Sequence, residues 1–359
     1  MPAHAFPADP ALRRRAGRWF VVWTVLLFIT VIIGGVTRLT ESGLSITEWK
    51  PVSGVLPPLS AEAWAVEFEK YRQIPQYQEV NRGMSLAEFQ RIFWVEWIHR
   101  LWARIVGLAI AIPALVLLIR GGLGRVVTRR ILLLLGLMAV QGFMGWYMVA
   151  SGLSERTSVS PYRLAAHLSV ALVLVGLAVW TAADLLARPP AMFEKRGLGD
   201  PANRLGRLAT GFVALVALTA MAGAFVAGLD AGRAYNTFPL MGGRVVPAGY
   251  WGLEPWWRNL FEHVPAVQFN HRLLGIVTTA AALIVWAVSA RPGRSEKVRF
   301  WGRATGLMGL LQIGLGVATL LLLVPIHLAS LHQAGAVVLL CFGLLLLHAA
   351  RRERATLHS

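Results

Sequence analysis

Eight apolar segments, separated by polar loops, dominate the pattern of this chain. A helix needs about 20 apolar residues to cross the hydrocarbon core of a bilayer, and each segment is close to that length. A composition that is 56% apolar and only 15% charged also differs from that of a soluble domain. The pattern therefore predicts an all-α membrane protein with eight transmembrane helices. The predicted spans are 19–36, 97–119, 131–150, 162–186, 208–228, 267–289, 300–323 and 328–350.

The longest loop joins the first two predicted spans and covers residues 38–95. It opens with a stretch rich in glycine and proline, and two amphipathic helices are predicted near 60–73 and 85–95. Their aromatic residues recur at helical spacing. Two interpretations stay open: the segment is a lid folded on the bundle, or its aromatic rings form the roof of a ligand pocket. The rings are Trp64, Phe68, Tyr71, Phe89 and Phe93.

The chain repeats itself. The sequence EWIHRL at 96–101 matches QFNHRL at 268–273, and 34–43 matches 223–232. Each repeat contains four helices, and because four is an even number, both repeats enter the membrane from the same side. The predicted architecture is therefore two tandem four-helix bundles related by a pseudo-twofold axis along the membrane normal. The predicted division is an N-terminal half at 1–186, a cytoplasmic linker at 187–206 and a C-terminal half at 207–359.

Basic residues are distributed unevenly across the predicted membrane. Of the 35 Lys and Arg residues, 21 lie at the N-terminus, in the loops after the second, fourth and sixth spans, or in the C-terminal tail. The positive-inside rule makes that side cytoplasmic, so both termini are cytoplasmic and the long loop at 38–95 is periplasmic. The net charge of +17 thus follows from membrane topology, and nucleic acid is not an expected partner.

Four histidines stand a few residues inside apolar spans, and they recur as two pairs. His99 and His167 lie in the first half, and His271 and His332 in the second. An imidazole in hydrocarbon costs free energy unless it has a partner, so intramembrane histidines are functional candidates. Within each pair the two residues lie near the outer ends of helices that run in the same direction. Two ligands at one depth are what an iron porphyrin between helices requires, so two porphyrin sites are predicted.

The two halves differ next to the first histidine of each pair. Glu96 precedes His99 by three residues and shares its helix face, whereas Gln268 precedes His271. A carboxylate in one half only suggests that chemistry happens there. The alternative is that Glu96 forms a helix-end ion pair with Arg100. Arg100, Arg104 and Arg272 could hold porphyrin propionates, or could extend to the membrane interface instead.

Several longer motifs resemble those of the heme A synthase family. In the first half they are GGVTRLTESGLS at 34–45, WKP at 49–51, PPL at 57–59, NRGM at 81–84 and FWVEWIHR at 93–100. In the second half they are YNTFPLMGG at 235–243 and NHR at 270–272. The resemblance covers all eight predicted spans. One branch of the family has a cysteine pair in the first outer loop; here the single cysteine is Cys341, so the chain is similar to the long-loop branch that includes the mitochondrial enzymes.

The resemblance implies an oxidoreductase that converts heme O to heme A, by oxidation of the C8 methyl group to a formyl group, for cytochrome c oxidase assembly. It implies Glu96 as the catalytic carboxylate, His99 and His167 facing the substrate heme, and His271 and His332 as ligands of a resident heme b. The implied partners are heme O, heme O synthase (protoheme farnesyltransferase), an electron donor and a second copy of the chain. The short Arg-rich N-terminus, poor in serine, favours a bacterial plasma membrane.

Two other functions stay in competition at this point. The first is a diheme b-type protein that transfers electrons across the membrane, although hemes stacked for that purpose need ligands at two depths, and these histidines all lie near the outer ends. The second is a heme transporter or chaperone. Transporters commonly have helices broken at mid-membrane, and glycines of this chain cluster at helix ends except in the seventh span.

Overall fold

The computed structural model describes residues 5–50, 52–154, 156–187 and 204–357, with side chains as far as Glu353. Nine α-helices make up most of these ranges. They are α1 (Pro10–Leu39), α2 (Ala61–Arg72), α3 (Leu86–Arg120), α4 (Arg125–Ala150), α5 (Pro161–Leu186), α6 (Arg204–Gly228), α7 (Val264–Ser289), α8 (Glu296–Leu321) and α9 (Ile326–Leu357).

Eight of these helices, α1 and α3 to α9, are long and apolar enough to cross a membrane. The predicted all-α, multi-pass membrane protein is therefore confirmed. Several helices begin before the apolar segment because a polar residue caps them. In α1 the Asp9 side chain accepts hydrogen bonds from the backbone N–H of Ala11 at 2.8 Å and of Leu12 at 3.2 Å, and Pro10 occupies the first turn.

The long outer loop contains one separate helix instead of two. α2 confirms the helix predicted near 60–73, but the second prediction, near 85–95, was wrong as a separate element. Those residues are the first turns of α3, which starts at a capping box formed by Ser85 and Glu88. Neither glycine nor proline stands between Leu86 and Val106 to end the helix there. α3 thus begins 11 residues before the predicted span at 97–119.

The five aromatic residues of this loop pack on one another. Ring centres of Trp64 and Phe93 lie 4.9 Å apart, those of Phe68 and Phe89 5.0 Å, and those of Tyr71 and Phe89 5.2 Å. Tyr71 and Phe89 are fully buried. This outer cluster fastens α2 to the first turns of α3, and the lid and pocket-roof interpretations both stay predictions.

The two halves meet along α1, α5, α6 and α9. Hydrogen bonds cross between the halves at several depths: Gln333 Nε2 to the Val31 carbonyl at 2.9 Å, Arg38 to the Ala227 carbonyl at 2.6 Å, and His348 to Asp184 at 3.0 Å. Most of the predicted linker, residues 188–203, lies outside the described residues. The division into two domains and their pseudo-twofold relation stay predictions.

Candidate functional site

The two histidines of the second half face each other at close range. His271 on α7 and His332 on α9 have ring centres 6.2 Å apart, with ring planes at 83°. The Nδ1 atom of each ring contacts the protein: His271 Nδ1 lies 3.2 Å from the Thr219 carbonyl, and His332 Nδ1 lies 3.1 Å from Gln312 Nε2. Neither Nε2 atom has a hydrogen bond within the described part of the chain. Each ring is thus held by the protein through Nδ1, and its Nε2 is left available to bind a metal ion.

The histidines of the first half are less firmly held. His167 on α5 has its Nε2 3.3 Å from the Gln141 amide, while its Nδ1 is buried without a hydrogen-bond partner among the described residues. His99 on α3 makes no side-chain hydrogen bond there. The same residue types therefore have different surroundings in the two halves: both histidines of the second half contact a polar group through Nδ1, whereas in the first half only His167 has such a contact, through Nε2.

Each of the four rings packs against a glycine on a neighbouring helix. A Cβ atom added to Gly34 would lie 3.3 Å from the ring of His99, and one added to Gly145 3.3 Å from the ring of His167. In the second half the corresponding distances are 3.0 Å from Gly223 to His271 and 2.9 Å from Gly316 to His332. A methyl group would push the rings of the second half aside. These glycines were not predicted as site residues.

Glu96 and Arg100 anchor the loop that follows α1. The buried Glu96 carboxylate accepts hydrogen bonds from Ser45 Oγ and the Ile46 backbone N–H, both at 2.8 Å, and forms an ion pair with Arg100 at 2.6 Å. Arg100 in turn donates to the carbonyl oxygens of Ile46 at 2.8 Å and Glu48 at 3.1 Å. The ion pair between Glu96 and Arg100, predicted as the alternative role of Glu96, is therefore present. Both side chains also form hydrogen bonds with the backbone of the loop that follows α1.

The second half contains a related anchor without the acid. Gln268 Nε2 donates to the Tyr235 carbonyl at 3.2 Å, and Gln268 Oε1 accepts from Arg272 at 3.3 Å. Arg272 donates to the carbonyl oxygens of Tyr235 at 2.5 Å and Thr237 at 2.6 Å. In both halves, therefore, two side chains next to a histidine hold a loop by hydrogen bonds to its backbone. Glu96 and Arg100 hold the loop after α1, and Gln268 and Arg272 hold the loop after α6.

The three arginines predicted as propionate contacts lie at these loops. Arg104 donates to the Lys50 carbonyl at 2.9 Å. The Nε atom of Arg272 is buried without a partner in the described ranges, so that guanidinium keeps one unused donor. Nearby in the first loop, hydrogen bonds from Lys50 and Lys70 lower the pKa of the Glu48 carboxyl. The outer mouth of the first half is therefore rich in charge.

These residues fit an iron porphyrin. Two imidazoles that bind one iron at about 2.1 Å would have ring centres roughly 6.5 Å apart, close to the separation of His271 and His332. Neutral imidazole is a common axial ligand of heme iron. The glycine beside each histidine also supports this fit, because it has no side chain that would occupy the space next to the imidazole ring. In the described part of the chain no group of three or more His, Cys, Asp or Glu residues could hold a bare metal ion.

Comparison with known proteins agrees with this chemistry. A family model named COX15-CtaA, described as cytochrome oxidase assembly protein, matches residues 17–344. The chain belongs to the COX15-CtaA family. This confirms the resemblance stated from the motifs, and the match extends over all eight membrane-spanning helices.

Members of the COX15-CtaA family similar to this chain come from bacteria and from mammals. A heme A synthase of Rhodospirillum centenum is 47% identical over 340 residues, which are 94% of this chain and 89% of that protein. Heme A synthase COX15 of Bos taurus is 44% identical over 348 residues, covering 95% and 83% of the two chains. Heme A synthase COX15 of Homo sapiens is 42% identical over 348 residues, covering 95% and 84%.

Proposed function

We propose that this protein is a heme A synthase, a membrane-embedded oxidoreductase that oxidises the C8 methyl group of heme O to the formyl group of heme A for cytochrome c oxidase assembly. Relatives named heme A synthase match nearly the whole chain, and family membership carries the proposal. Two successive hydroxylations of the methyl group give a gem-diol, which loses water to form the aldehyde. Side chains cannot oxidise a porphyrin methyl group unaided, so dioxygen would act as the oxidant, with bound iron to activate it and an external donor to supply the further electrons that each hydroxylation consumes.

The proposal assigns different tasks to the two histidine pairs. His271 and His332 would hold a resident heme b, which supplies redox chemistry when bound. Their Nδ1 contacts and the glycines beside them support this assignment, because a permanent ligand pair gains from being oriented in advance. His99 and His167 would face the substrate. Their weaker attachment suits a site from which a ligand must leave.

Glu96 is the proposed acid/base group of the first half. It lies on the same face of α3 as His99, one turn nearer the outer surface. Ser45 Oγ, the Ile46 backbone N–H and Arg100 occupy its oxygens, so the loop at Ser45 and Ile46 would have to shift before Glu96 reaches the substrate. Arg100, Arg104 and Arg272 remain the proposed propionate contacts, and Arg272 is the best suited because its buried Nε has no hydrogen-bond partner among the described residues.

The proposed cellular setting follows from charge and chemistry. Both termini would be cytoplasmic, with the long loop outside a bacterial plasma membrane, because basic residues concentrate on the opposite side. Heme O would come from a protoheme farnesyltransferase acting earlier. A second copy of the chain would be a further partner.

Replacing the proposed heme b ligands tests the assignment of the second half. We expect His271→Ala or His332→Ala to remove the low-spin heme b absorption spectrum of the purified protein, because each change leaves the iron one axial ligand short. His327→Ala is the matched control: His327 stands at the mouth of α9 and belongs to neither pair, so its spectrum should match that of the wild type. A normal reduced spectrum in both ligand variants would show that heme b is held elsewhere.

A further inference from the structure

A groove lies between α6 and α7 at the end of α6 that is proposed to be cytoplasmic. Its volume is about 390 Å³. Arg204 and Arg207 line its polar end, and no acidic residue of the described chain lines it. The rest of its wall is apolar and consists of Leu208, Gly211, Phe212 and Leu215 from α6 and Ala281 from α7.

The length of the groove matches one leaflet of a bilayer. From Arg204 to Leu215 the helix rises by about 16 Å, which is close to half of the ~30 Å hydrocarbon core. One turn further along, Thr219 and Thr278 join α6 to α7 through a hydrogen bond of 2.7 Å. This contact fixes the separation of the two helices next to the groove.

Gly211 keeps the groove open, because a Cβ atom added there would meet no atom within 4 Å. The first half differs at this point. At the offset of 189 that relates α1 to α6, the sequence RAGR at 15–18 matches RLGR at 204–207, but Gly211 matches Val22. The first half therefore has the same basic pair without the small residue that opens the groove.

The two arginines at the polar end are available to a ligand. They lie three residues apart on one face of α6, and both are exposed. Neither side chain forms a hydrogen bond or an ion pair with any residue that the structure describes. Basic residues at this side of the membrane are expected from topology alone, but Arg204 and Arg207 stand directly beside an apolar groove. A guanidinium can bind two phosphate oxygens at once.

We propose that the groove binds one anionic phospholipid, with the phosphate on Arg204 and Arg207 and one acyl chain along Gly211 and Ala281. A soluble anion would pair with the arginines and leave the apolar wall uncovered, whereas an uncharged hydrocarbon would leave the arginines unpaired. Basic pockets between membrane helices select anionic headgroups. The inference involves neither histidine pair, so it does not depend on the proposed function.

Lipid titration of the purified full chain in detergent, followed by native mass spectrometry, tests the headgroup contact. The wild type should bind one phosphatidylglycerol at least about tenfold more tightly than phosphatidylcholine with the same acyl chains, because choline cancels the charge of the phosphate. The double variant Arg204→Gln and Arg207→Gln should lose this preference. The double variant Arg15→Gln and Arg18→Gln removes the same charge from exposed, matching positions of α1 and should keep it.

Gly211→Leu tests the acyl-chain contact. The new side chain fills the groove, so the affinity for both lipids should fall about tenfold. Gly136→Leu on α4 is the matched control, because Gly136 is also exposed and an added Cβ there also meets nothing within 4 Å. A single peak in size-exclusion chromatography reports that each variant is folded. If Gly211→Leu fails this check, the smaller change Gly211→Val, to the residue type of Val22, takes its place.

The inference is overturned if the wild type binds the two lipids equally or binds neither. It is also overturned if both double variants lose the preference for phosphatidylglycerol to the same extent, since net charge alone would then explain it. An unchanged lipid affinity in Gly211→Leu would exclude the groove as the place of the acyl chain. Inorganic phosphate that binds the wild type as tightly as phosphatidylglycerol would identify a soluble anion as the ligand instead.

Discussion

At the scale of single residues, the two histidine pairs have the same chemistry and different support. A backbone carbonyl and a glutamine orient His271 and His332, whereas His99 makes no side-chain hydrogen bond in the described chain. The Glu96 carboxylate has no counterpart at the matching position of the second half, and it is bound to Arg100, to Ser45 and to the Ile46 backbone. Glu96 therefore has a structural task in addition to its proposed chemical one.

Glu96→Gln separates those two tasks. The second half shows that a glutamine at this position still pairs with the following arginine and holds the loop, so the variant should fold and keep its heme b content. If Glu96 moves protons, heme A production should fall by about 10²–10⁴-fold, the usual effect of losing a general acid or base. The measurement is the heme A to heme O ratio after acid extraction.

Glu96→Ala serves as the comparison, because it removes the anchor itself and leaves Arg100 unpaired. It should lower the yield of folded protein, since breaking a buried ion pair costs several kcal/mol, about 3–5. Normal heme A output from Glu96→Gln protein would leave Glu96 as an anchor without an acid/base role.

Repeat register and helical spacing were enough to propose the four histidines, Glu96 and Arg100 from the sequence, and the structure shows the ion pair of Glu96 with Arg100 and the approach of His271 to His332. The glycines beside the rings and the carbonyls that receive Arg100 and Arg272 were not predicted. Those contacts depend on how far each helix is rotated and how closely it approaches its neighbour. The repeat did single out these glycines, since Gly34 matches Gly223 and Gly145 matches Gly316. It did not show that each of them faces a histidine ring, because that depends on how the helices pack.

At the scale of elements, small residues decide which helices touch. The sequence pattern predicts an amphipathic helix near 85–95 and a separate span at 97–119, but the cap at Ser85 starts one helix that runs without a break through both. Periodicity predicts which residues are helical, while helix ends depend on caps. The approach of neighbouring helices depends on residues such as Gly306, where an added Cβ would lie only 2.3 Å from the Trp286 ring of α7.

Gly306→Ala tests whether the close packing of α8 against α7 stabilises the second half. The new methyl group would collide with the Trp286 ring, and we expect overpacking to destabilise the protein by about 1–3 kcal/mol. The readout is the temperature at which bound heme b is released. Gly314→Ala on the same helix meets no atom within 4 Å and should be neutral or slightly stabilising, because alanine favours the helix by up to ~1 kcal/mol. Equal release temperatures for the two variants would contradict the stabilising role of the contact between α7 and α8.

At the scale of the whole molecule, the chain is a multi-pass membrane protein whose proposed porphyrin sites lie toward one side. Hydropathy was sufficient to predict eight spans, because a bilayer imposes a minimum length that the sequence shows directly. The orientation rests on the distribution of Lys and Arg, and the contacts between the halves could not be predicted from either pattern.

Thiol labelling tests the orientation. Ser60 is exposed and caps α2, so a Ser60→Cys variant in a Cys341→Ala background should react with a membrane-impermeant maleimide in intact spheroplasts. The same background without the new cysteine is the control and should not react. Labelling that occurs only after the membrane is broken would place the long loop in the cytoplasm.

The central claim is the conversion of heme O to heme A, and it can be measured in a bacterial host that makes heme O but no heme A. The protein is expressed there, and the hemes of the membrane fraction are extracted and identified by mass. The account predicts heme A together with heme B in the wild type, and heme O without heme A in a double variant that lacks His99 and His167. Heme B alone on the purified protein, with no heme A in the membranes, would contradict it and would favour a b-type electron carrier.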